Sequence, residues 1–560
     1  MVSTYTNPEY PYRRSPDQDA AAPAHHPVII VGGGPAGLAA AMDLALQGIA
    51  TVVLDDNNTV SVGSRAICIA KRTLEICDRY SCAGPMLAKG VTWNLGRVYF
   101  GEQQIYEFNL LPEQHHKIPA FINLQQYYFE EYMVDRCREL PDIDLRWLHK
   151  VVAVDSSRDA TSVEVQTPEG NYRMSCDYLL VADGANSPIR ESLGLESKGQ
   201  VFEDRFLIAD ILMKADFPAE RRFWFDAPFH PDQSTLLHKQ ADNVWRIDFQ
   251  LGWDADPEKE KQIDRIRPRI EAMLGKDREW ELEWASVYTF RCRKMDSFIH
   301  NRVIFMGDAA HQVSPFGARG ANGALQGVEN LCWKLAAVLE QRAPAALLTS
   351  YDSERQHGAR ENILHSTRAT DFMTPKNHVT RVFRDTVLDL ARDYPFARRL
   401  VNSGRLSVPC VYDDSPLNTP DSAAFGAQMR PGSACTDAPI SAPGGEQWLL
   451  EMLGNRFVLL ASGQAVAATE VLEDCCRQLQ QRGIDTRLVC VDETGATASA
   501  GHIVDREGIL AQRYDLRDSA LYLIRPDQHV CARWRDVDPQ AVVAAVERAL
   551  GATLTQEQAA

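Results

Sequence analysis

The first regular pattern in the chain is a short apolar run, Pro27-Val-Ile-Ile-Val31, closed at once by Gly32-Gly-Gly-Pro-Ala-Gly37. An apolar run of this length bounded by glycine predicts a buried strand. Leu38 to Gln47 is built from strong helix formers and stops at Gly48, and Thr51-Val-Val-Leu54 is a second apolar run ending at Asp55. The ordered chain therefore opens with a strand–helix–strand unit. Helical spacing recurs at Arg72–Tyr80 and Gln126–Arg138, and Val91–Leu110 alternates as strands do. Val151–Val165 and Tyr172–Ala182 predict a β meander running into a buried strand. In Val244–Leu251 the alternation is strict: Trp245, Ile247, Phe249 and Leu251 share one face; Arg246, Asp248 and Gln250 share the other. Arg302–Met306 predicts another buried strand, followed by a Gly-rich loop and a helix to about residue 342, with more helix over roughly 350–400. Loops at 409–420 read as a linker. The last segment reads strand (456–460), helix (468–482), strand (486–491), hairpin (520–533) and terminal helix (539–550).

Composition narrows the class without naming a function. With 560 residues, 45% of them hydrophobic and 24% charged, the chain is globular and long enough for several domains. The formal charge of −17 disfavours nucleic acid and anionic membrane as partners. Thirteen scattered cysteines without a CxxC or a Cys/His ligand spacing suggest reduced thiols in a cytoplasmic protein and no metal site. No apolar run is long enough to span a bilayer. Arg13–Arg14 is followed by no apolar stretch, so residues 1–26 are expected to be a disordered tail and not an export signal.

The opening unit fits G-x-G-x-x-G. Gly32 permits the tight turn, Gly34 lets the backbone approach a diphosphate, and Gly37 lets helix and strand pack closely. Asp55 ends the second strand, where an acid accepts from a ribose 2′-hydroxyl. The fingerprint predicts a dinucleotide without choosing between NAD and FAD. Two further motifs bear on that choice. One is Asp177-Tyr-Leu-Leu-Val-Ala-Asp183-Gly184-Ala-Asn-Ser187-Pro-Ile-Arg190; the other is Val303-Ile-Phe-Met-Gly307-Asp308-Ala-Ala-His311 with Pro315-Phe-Gly317-Ala-Arg-Gly320-Ala-Asn322 after it.

Together the three motifs resemble the signatures of class A flavoprotein monooxygenases, the aromatic hydroxylases built like para-hydroxybenzoate hydroxylase. Their order and spacing match from near residue 28 to about 340. The resemblance implies an α/β fold: a Rossmann-like FAD-binding domain (27–200 and 290–345) with an inserted β-sheet substrate domain (200–290, with the 91–110 hairpin). A helical segment (346–408) and a C-terminal thioredoxin-like domain (420–556) would follow. The last resembles the terminal domain of phenol and 3-(3-hydroxyphenyl)propionate hydroxylases, and without CxxC it is expected to be redox-inert or an oligomer interface. The implied cofactors are FAD and, as a transient reductant, NADH or NADPH; the partners are O2 and a small aromatic substrate, with a homodimer left as a possible assembly.

Several residues take roles under the resemblance. Asp308 accepts from the ribityl chain, its alternative being a helix cap; Asp183 serves FAD and the nicotinamide. Arg65, in Ser64-Arg65-Ala66, and Gln126 contact the cofactor. The N–H groups of Gly320, Ala321 and Asn322 point at the flavin N1–C2=O edge, where a helix N-terminus favours the reduced anion. Pro315 forms a wall near the ring, and His311 is structural. Family alignment places His238, Gln240 and Asp248 along the pocket. His238 and Asp248 are the catalytic candidates, with His238 as a base for a phenol or, alternatively, a histidine satisfied within the sheet. Gln240 and Asp248 stand where the para-hydroxybenzoate enzymes carry Arg and Tyr, so a benzoate held in their manner is not expected. The implied activity is NAD(P)H- and O2-dependent hydroxylation of a phenolic ring through a C4a-hydroperoxyflavin. A halogenase or reductase on the same fold is the alternative, although no Trp-x-Trp-x-Ile signature occurs; a non-catalytic flavin scaffold is the other.

Overall fold

The computed structural model describes residues 3–554, except 402–405, 427, 464, 493–499 and 517–518. The opening strand, Ala24–Val31, lies between Thr51–Asp55 and the long strand Gly170–Val181, parallel to both. Val303–Phe305 adds outside Gly170–Val181 and Ile143–Trp147 outside Thr51–Asp55, again in parallel. The apolar runs read from the sequence form the centre of this sheet, and Val28, Ile29 and Ile30 are fully buried. That is the pattern of a parallel sheet covered on both faces. One cover is the fingerprint helix Pro35–Ala45, and the 20-residue helix Gly320–Leu339 packs beside it.

Residues 3–26 are not a loose tail. Tyr10 is buried and stacks on Trp147 at 4.5 Å, and Tyr5 stacks on Tyr127 at 4.1 Å. Ser15 caps a short helix at Pro16–Asp19 in a capping box. Asp17 pairs with Arg146 at 2.7 Å, and the first strand starts at Ala24, opposite Met174. Average composition hid three tyrosines, and two of them are enough to dock the segment.

The second sheet is mostly antiparallel. The strands Ser197–Leu212, Arg221–Ala227, His230–Lys239, Val244–Leu251 and Glu281–Met295 form its body. The edge hairpin is Leu95–Phe100 with Gln103–Asn109, while Val91–Trp93 leaves it for a small three-stranded sheet with Cys68–Ala70 and Phe121–Asn123. Trp245, Ile247 and Phe249 pack with Leu207, Ala209 and Ile211 against the helix Ile263–Leu274. Arg246, Asp248 and Gln250 face the other way, and Arg246 reaches the Ser64 and Arg65 carbonyls of the cofactor domain.

In the C-terminal region Phe457–Gly463 and Thr486–Asp492 run parallel, joined through the helix Thr469–Gln481; Ser519–Ile524 and Val530–Trp534 form an antiparallel hairpin. These elements match the sequence pattern to within about three residues. Trp333 and Ala337 of the Gly320–Leu339 helix belong to the same apolar cluster as Leu472, Leu479 and Val546, so this region is packed onto the larger body. Buried charges reinforce the junction: Arg525 bridges Glu354 at 2.7 Å and Asp527 at 2.6 Å, and Arg72 holds Glu329 at 2.8 Å and Gln528 at 2.9 Å. The stretch read as a linker is part of this junction, since Tyr412 is buried and accepts from Arg355 at 2.8 Å.

Candidate active site

Three motifs more than a hundred residues apart converge at one sheet edge. Val31, Val181 and Phe305 sit side by side in register, so Gly32, Asp183 and Asp308 all lie just beyond the carboxyl ends of adjacent strands. That edge is where open α/β sheets bind ligands. The turns are tied together: Ala182 N donates to Val31 O at 2.8 Å and Met306 N to Val181 O at 3.0 Å. Buried Arg190 donates to Ala309 O at 2.7 Å and Ala185 O at 3.1 Å, bracing the second turn against the third.

The glycines behave differently from one another. A Cβ on Gly37 would lie 1.9 Å from Gly32 O, and one on Gly32, at φ +109°, would lie 2.4 Å from Ala182 O. A Cβ on Gly34 would meet nothing within 4 Å. Gly32 and Gly37 are thus required by packing, whereas Gly34 borders open space at the N-terminus of the Pro35–Ala45 helix, a place suited to a diphosphate. Asp55 accepts from Gly33 N at 2.5 Å and Asn57 N at 2.8 Å. Burial raises its pKa, and those two N–H groups oppose the rise.

Asp308 opens onto the groove beyond the third strand. Burial pushes its pKa up to about 6, with Arg65 pulling back, although solvent reaching the groove tempers that shift. Arg65 therefore stands at the same groove. Its loop is held from two sides. Gln126 accepts from Ala66 N at 3.1 Å and donates to Ser61 Oγ and Glu130; Arg246 donates to the Ser64 and Arg65 carbonyls. Gln126 thus spends its side chain on the loop. Asp183 accepts from Ile189 N at 3.2 Å, while its Oδ1 is buried without a partner.

Residues 320–322 open the Gly320–Leu339 helix. Its first internal bond near that end is Gly323 N to Arg319 O at 2.8 Å, so the preceding N–H groups point out of the helix end. Asn322 ties this end down: it accepts from Ala70 N and Thr73 Oγ1 and donates to Cys68 O and Ala318 O. His311 is buried beside Phe298 with its pKa depressed to about 3 by burial and nearby cations, so it stays neutral.

The same turn leads into a cavity of about 380 Å³ between the second sheet and the helices Leu347–Met373 and Pro395–Val401. Its apolar wall includes Tyr106, Phe108, Phe223, Phe225, Phe316 and Met373. Pro315 is exposed and does not line it; its neighbour Phe316 does, held edge-on by Phe206 and Phe290. His238, Gln240 and Asp248 do not line it either. They sit one to two strands further in, in a buried polar cluster. There Arg246 grips Asp210 at 2.8 and 2.7 Å, and Gln240 donates to Asp210 at 3.1 Å. His238 lies beside Arg246 in register, its Nδ1 unpartnered; burial and the charges of Arg221 and Arg246 hold its pKa well below the ordinary range. Burial pushes Asp248 up to about 7, Asp210 adding to the rise and Arg246 and Arg221 opposing it; its Oδ1 has no partner. Arg221 joins this cluster to the cavity, and the sequence reading missed it. Its signal was present, because Arg221, Phe223 and Phe225 alternate onto one face.

Among the described residues, no group of three or more His, Cys, Asp or Glu is arranged for a metal ion, and no helix is long and apolar enough to cross a membrane.

The fold and groove define an FAD-binding protein, and comparison makes the assignment specific. Residues 25–366 match the FAD binding domain family, and the chain belongs to that family. It is similar to 6-methylpretetramide 4-monooxygenase of Streptomyces rimosus, at 28% identity over 90% of each chain. It is also similar to the 3-(3-hydroxy-phenyl)propionate/3-hydroxycinnamic acid hydroxylase of Mycobacterium sp. (strain JLS), at 24% identity over 90% of this chain and 88% of the relative. The fold matches the flavin-dependent monooxygenase PieE, solved with FAD and substrate, with a TM-score of 0.79 at 21% identity, covering 94% of this chain and all of that one. Aklavinone-11 hydroxylase with FAD and aklavinone gives a TM-score of 0.75 at 21% identity, covering 94% and 99%. The residues present fit FAD: an open approach at Gly34, an unpartnered Asp183 oxygen and a free helix end at residues 320–322.

Proposed function

We propose that the protein is an FAD-dependent monooxygenase that hydroxylates an activated aromatic ring, using NAD(P)H and O2. The observation that carries this reading is a shared wall. The turn 315–319 both starts the helix whose N-terminus borders the cofactor groove and, through Phe316 and Gly317, lines the aromatic cavity. The reacting end of the cofactor and the ring of a substrate would meet there.

In this reading Gly34 and the Pro35–Ala45 helix hold the diphosphate, and Asp308 accepts from the ribityl hydroxyls. Asp55 orients the Gly33 turn while facing the ribose; Arg65 and Asp183 flank the groove. The N–H groups of Gly320, Ala321 and Asn322 favour negative charge on the flavin ring. FAD held there would supply the redox chemistry, with NAD(P)H as reductant and O2 as the source of one oxygen atom for the ring and one for water. The chain excludes water with the Phe223, Phe225 and Phe316 wall. His238 and Asp248 stand one to two strands behind the cavity wall, so neither touches a ring bound there; Asp248, pushed up to about 7 by burial, acts on the cavity through the charge of Arg221. The C-terminal region is read as a thioredoxin-like module that supports the larger body; its βαβ crossover and antiparallel hairpin agree with that layout. Cys475 and Cys476 are buried on one helix, where burial raises both thiols.

The test is to purify the chain, extract and identify its flavin, and screen phenols for stimulated NAD(P)H oxidation with product mass. One FAD per chain and a product 16 mass units heavier support the reading. A flavin-free protein, or a halide requirement, defeats it.

A further inference from the structure

The charge on the cavity is opposite to that of the protein. Acids outnumber Lys and Arg by 76 to 59 across the chain, yet the described residues lining the cavity include five arginines, one histidine and no Asp or Glu. Chance placement in an acidic protein does not favour that wall. Among the five, Arg221 also faces the buried polar cluster of His238 and Asp248. It stands on the strand Arg221–Ala227, next to His238 by extension of the Arg222–Leu237 pairing and opposite Gly96 on the other side.

Its neighbours show what is unusual about it. Arg97 is paired with Glu220 at 2.9 Å, Arg222 with the other oxygen of Glu220 at 2.7 Å, and Arg246 with Asp210 at 2.7 Å. Arg221 has no hydrogen bond or ion pair with any described residue. Asp248 acts on it only at longer range, and burial lowers its pKa. A guanidinium stays charged in a protein, and leaving it half-buried without a counter-ion is unfavourable. Its planar fork matches two oxygens of an anion better than a point charge would. Tyr106, Phe223 and Phe316 around it supply the apolar faces for a ring. Arg368 and Arg399, both exposed on the lining, would draw an anion toward the entrance against the overall negative field.

We propose that the cavity takes an aromatic substrate bearing an oxyanion, and that Arg221 is the side chain that receives it. The proposal rests on the reading of the cavity as the substrate site. The oxyanion has two sources, a carboxylate on a ring substituent or the phenolate oxygen itself, and both present the same chemistry to Arg221. Of the residues that hold the cofactor in the reading above, none includes Arg221, so its replacement should spare FAD.

The experiment uses the holoenzyme and its Arg221→Gln and Arg221→Lys variants, each checked for FAD content and melting temperature. Benzoate and its neutral analogue benzamide are titrated against the absorption of the bound flavin, and 4-nitrophenol is followed by the visible band of its phenolate. For a carboxylate, benzoate binds at least about tenfold more tightly than benzamide; Arg221→Gln removes that preference, and Arg221→Lys restores part of it. For a phenolate, the apparent pKa of bound 4-nitrophenol falls by about one unit or more, and the fall disappears in Arg221→Gln. Overturning results are wild-type protein with neither preference, or either preference surviving in Arg221→Gln. Should the Gln variant fail to fold, Arg221→Lys decides: the proposal is overturned if it binds both probes like the wild type. Loss of FAD from the unmodified protein would instead defeat the broader functional reading.

Discussion

The cofactor groove and the aromatic cavity share a wall but are built on different principles. The groove is made by backbone: three turns at the ends of adjacent strands, shaped by glycines and braced by Arg190. The cavity is made by side chains from the edge hairpin, one further strand of the second sheet (Arg221–Ala227), the turn at 316–319 and the helices that follow the cofactor domain. A site made by backbone leaves a local signature, because particular residues at fixed spacing are the only ones that fit. A site made by converging side chains leaves almost none, and it is free to change its contents without disturbing the fold.

The largest expected effects test whether the glycines do separate jobs. In Gly37→Ala the new carbon meets the Gly32 carbonyl, and the backbone cannot yield cheaply. The variant should lose more than about 3 kcal/mol, the upper end for overpacking, and give little folded protein. Gly34→Ala should fold with an unchanged melting temperature in the FAD-free form and yet lose FAD. Comparing melting curves with flavin content checks both, and a flavin-replete Gly34→Ala protein would break the distinction.

Next comes the polar cluster beneath the cavity. Asp248→Asn should keep FAD and NAD(P)H oxidation while the hydroxylated product formed per NAD(P)H falls, because removing its charge changes the field at Arg221. Stability should report the same carboxyl. A carboxyl whose folded pKa is raised favours the folded state at low pH, and that advantage is lost as pH rises from its ordinary value toward about 7. Asp248→Asn should therefore gain melting temperature relative to the parent at pH 8 and not at pH 4.

A smaller effect is expected at the groove. Asp308→Ala should weaken FAD binding by about 5- to 150-fold, which corresponds to roughly 1–3 kcal/mol for an unpaired hydroxyl. Equilibrium dialysis of flavin measures it. Smallest of all, replacing both Cys475 and Cys476 by Ser should leave turnover within about two-fold, because both thiols are buried and neither has a CxxC partner.

Legibility followed the same division. Gly32, Gly34, Gly37, Asp183 and Asp308 could be read because short-range geometry dictates them, and the strict alternation of Val244–Leu251 predicted which face is buried. Arg221 was passed over because its significance is a missing partner, which depends on Glu220 choosing Arg97 and Arg222 instead. His238 and Asp248 were placed on the right face but one to two strands too close to the cavity, since strand order is not written in alternation. Gln126 reads differently too, its side chain bracing the Arg65 loop through Ser61, Ala66 and Glu130. The N-terminal segment was misread because single aromatic anchors count for little in composition and for much in packing.

The central claim is that oxygen passes from O2 to an aromatic ring in the cavity beside the flavin. Its most direct test is turnover of the holoenzyme under 18O2, with NAD(P)H and the phenol that most strongly stimulates NAD(P)H oxidation. The account predicts a product 18 mass units heavier than the substrate, against 16 under ordinary oxygen. A product without the label, or label recovered in water alone, would contradict it.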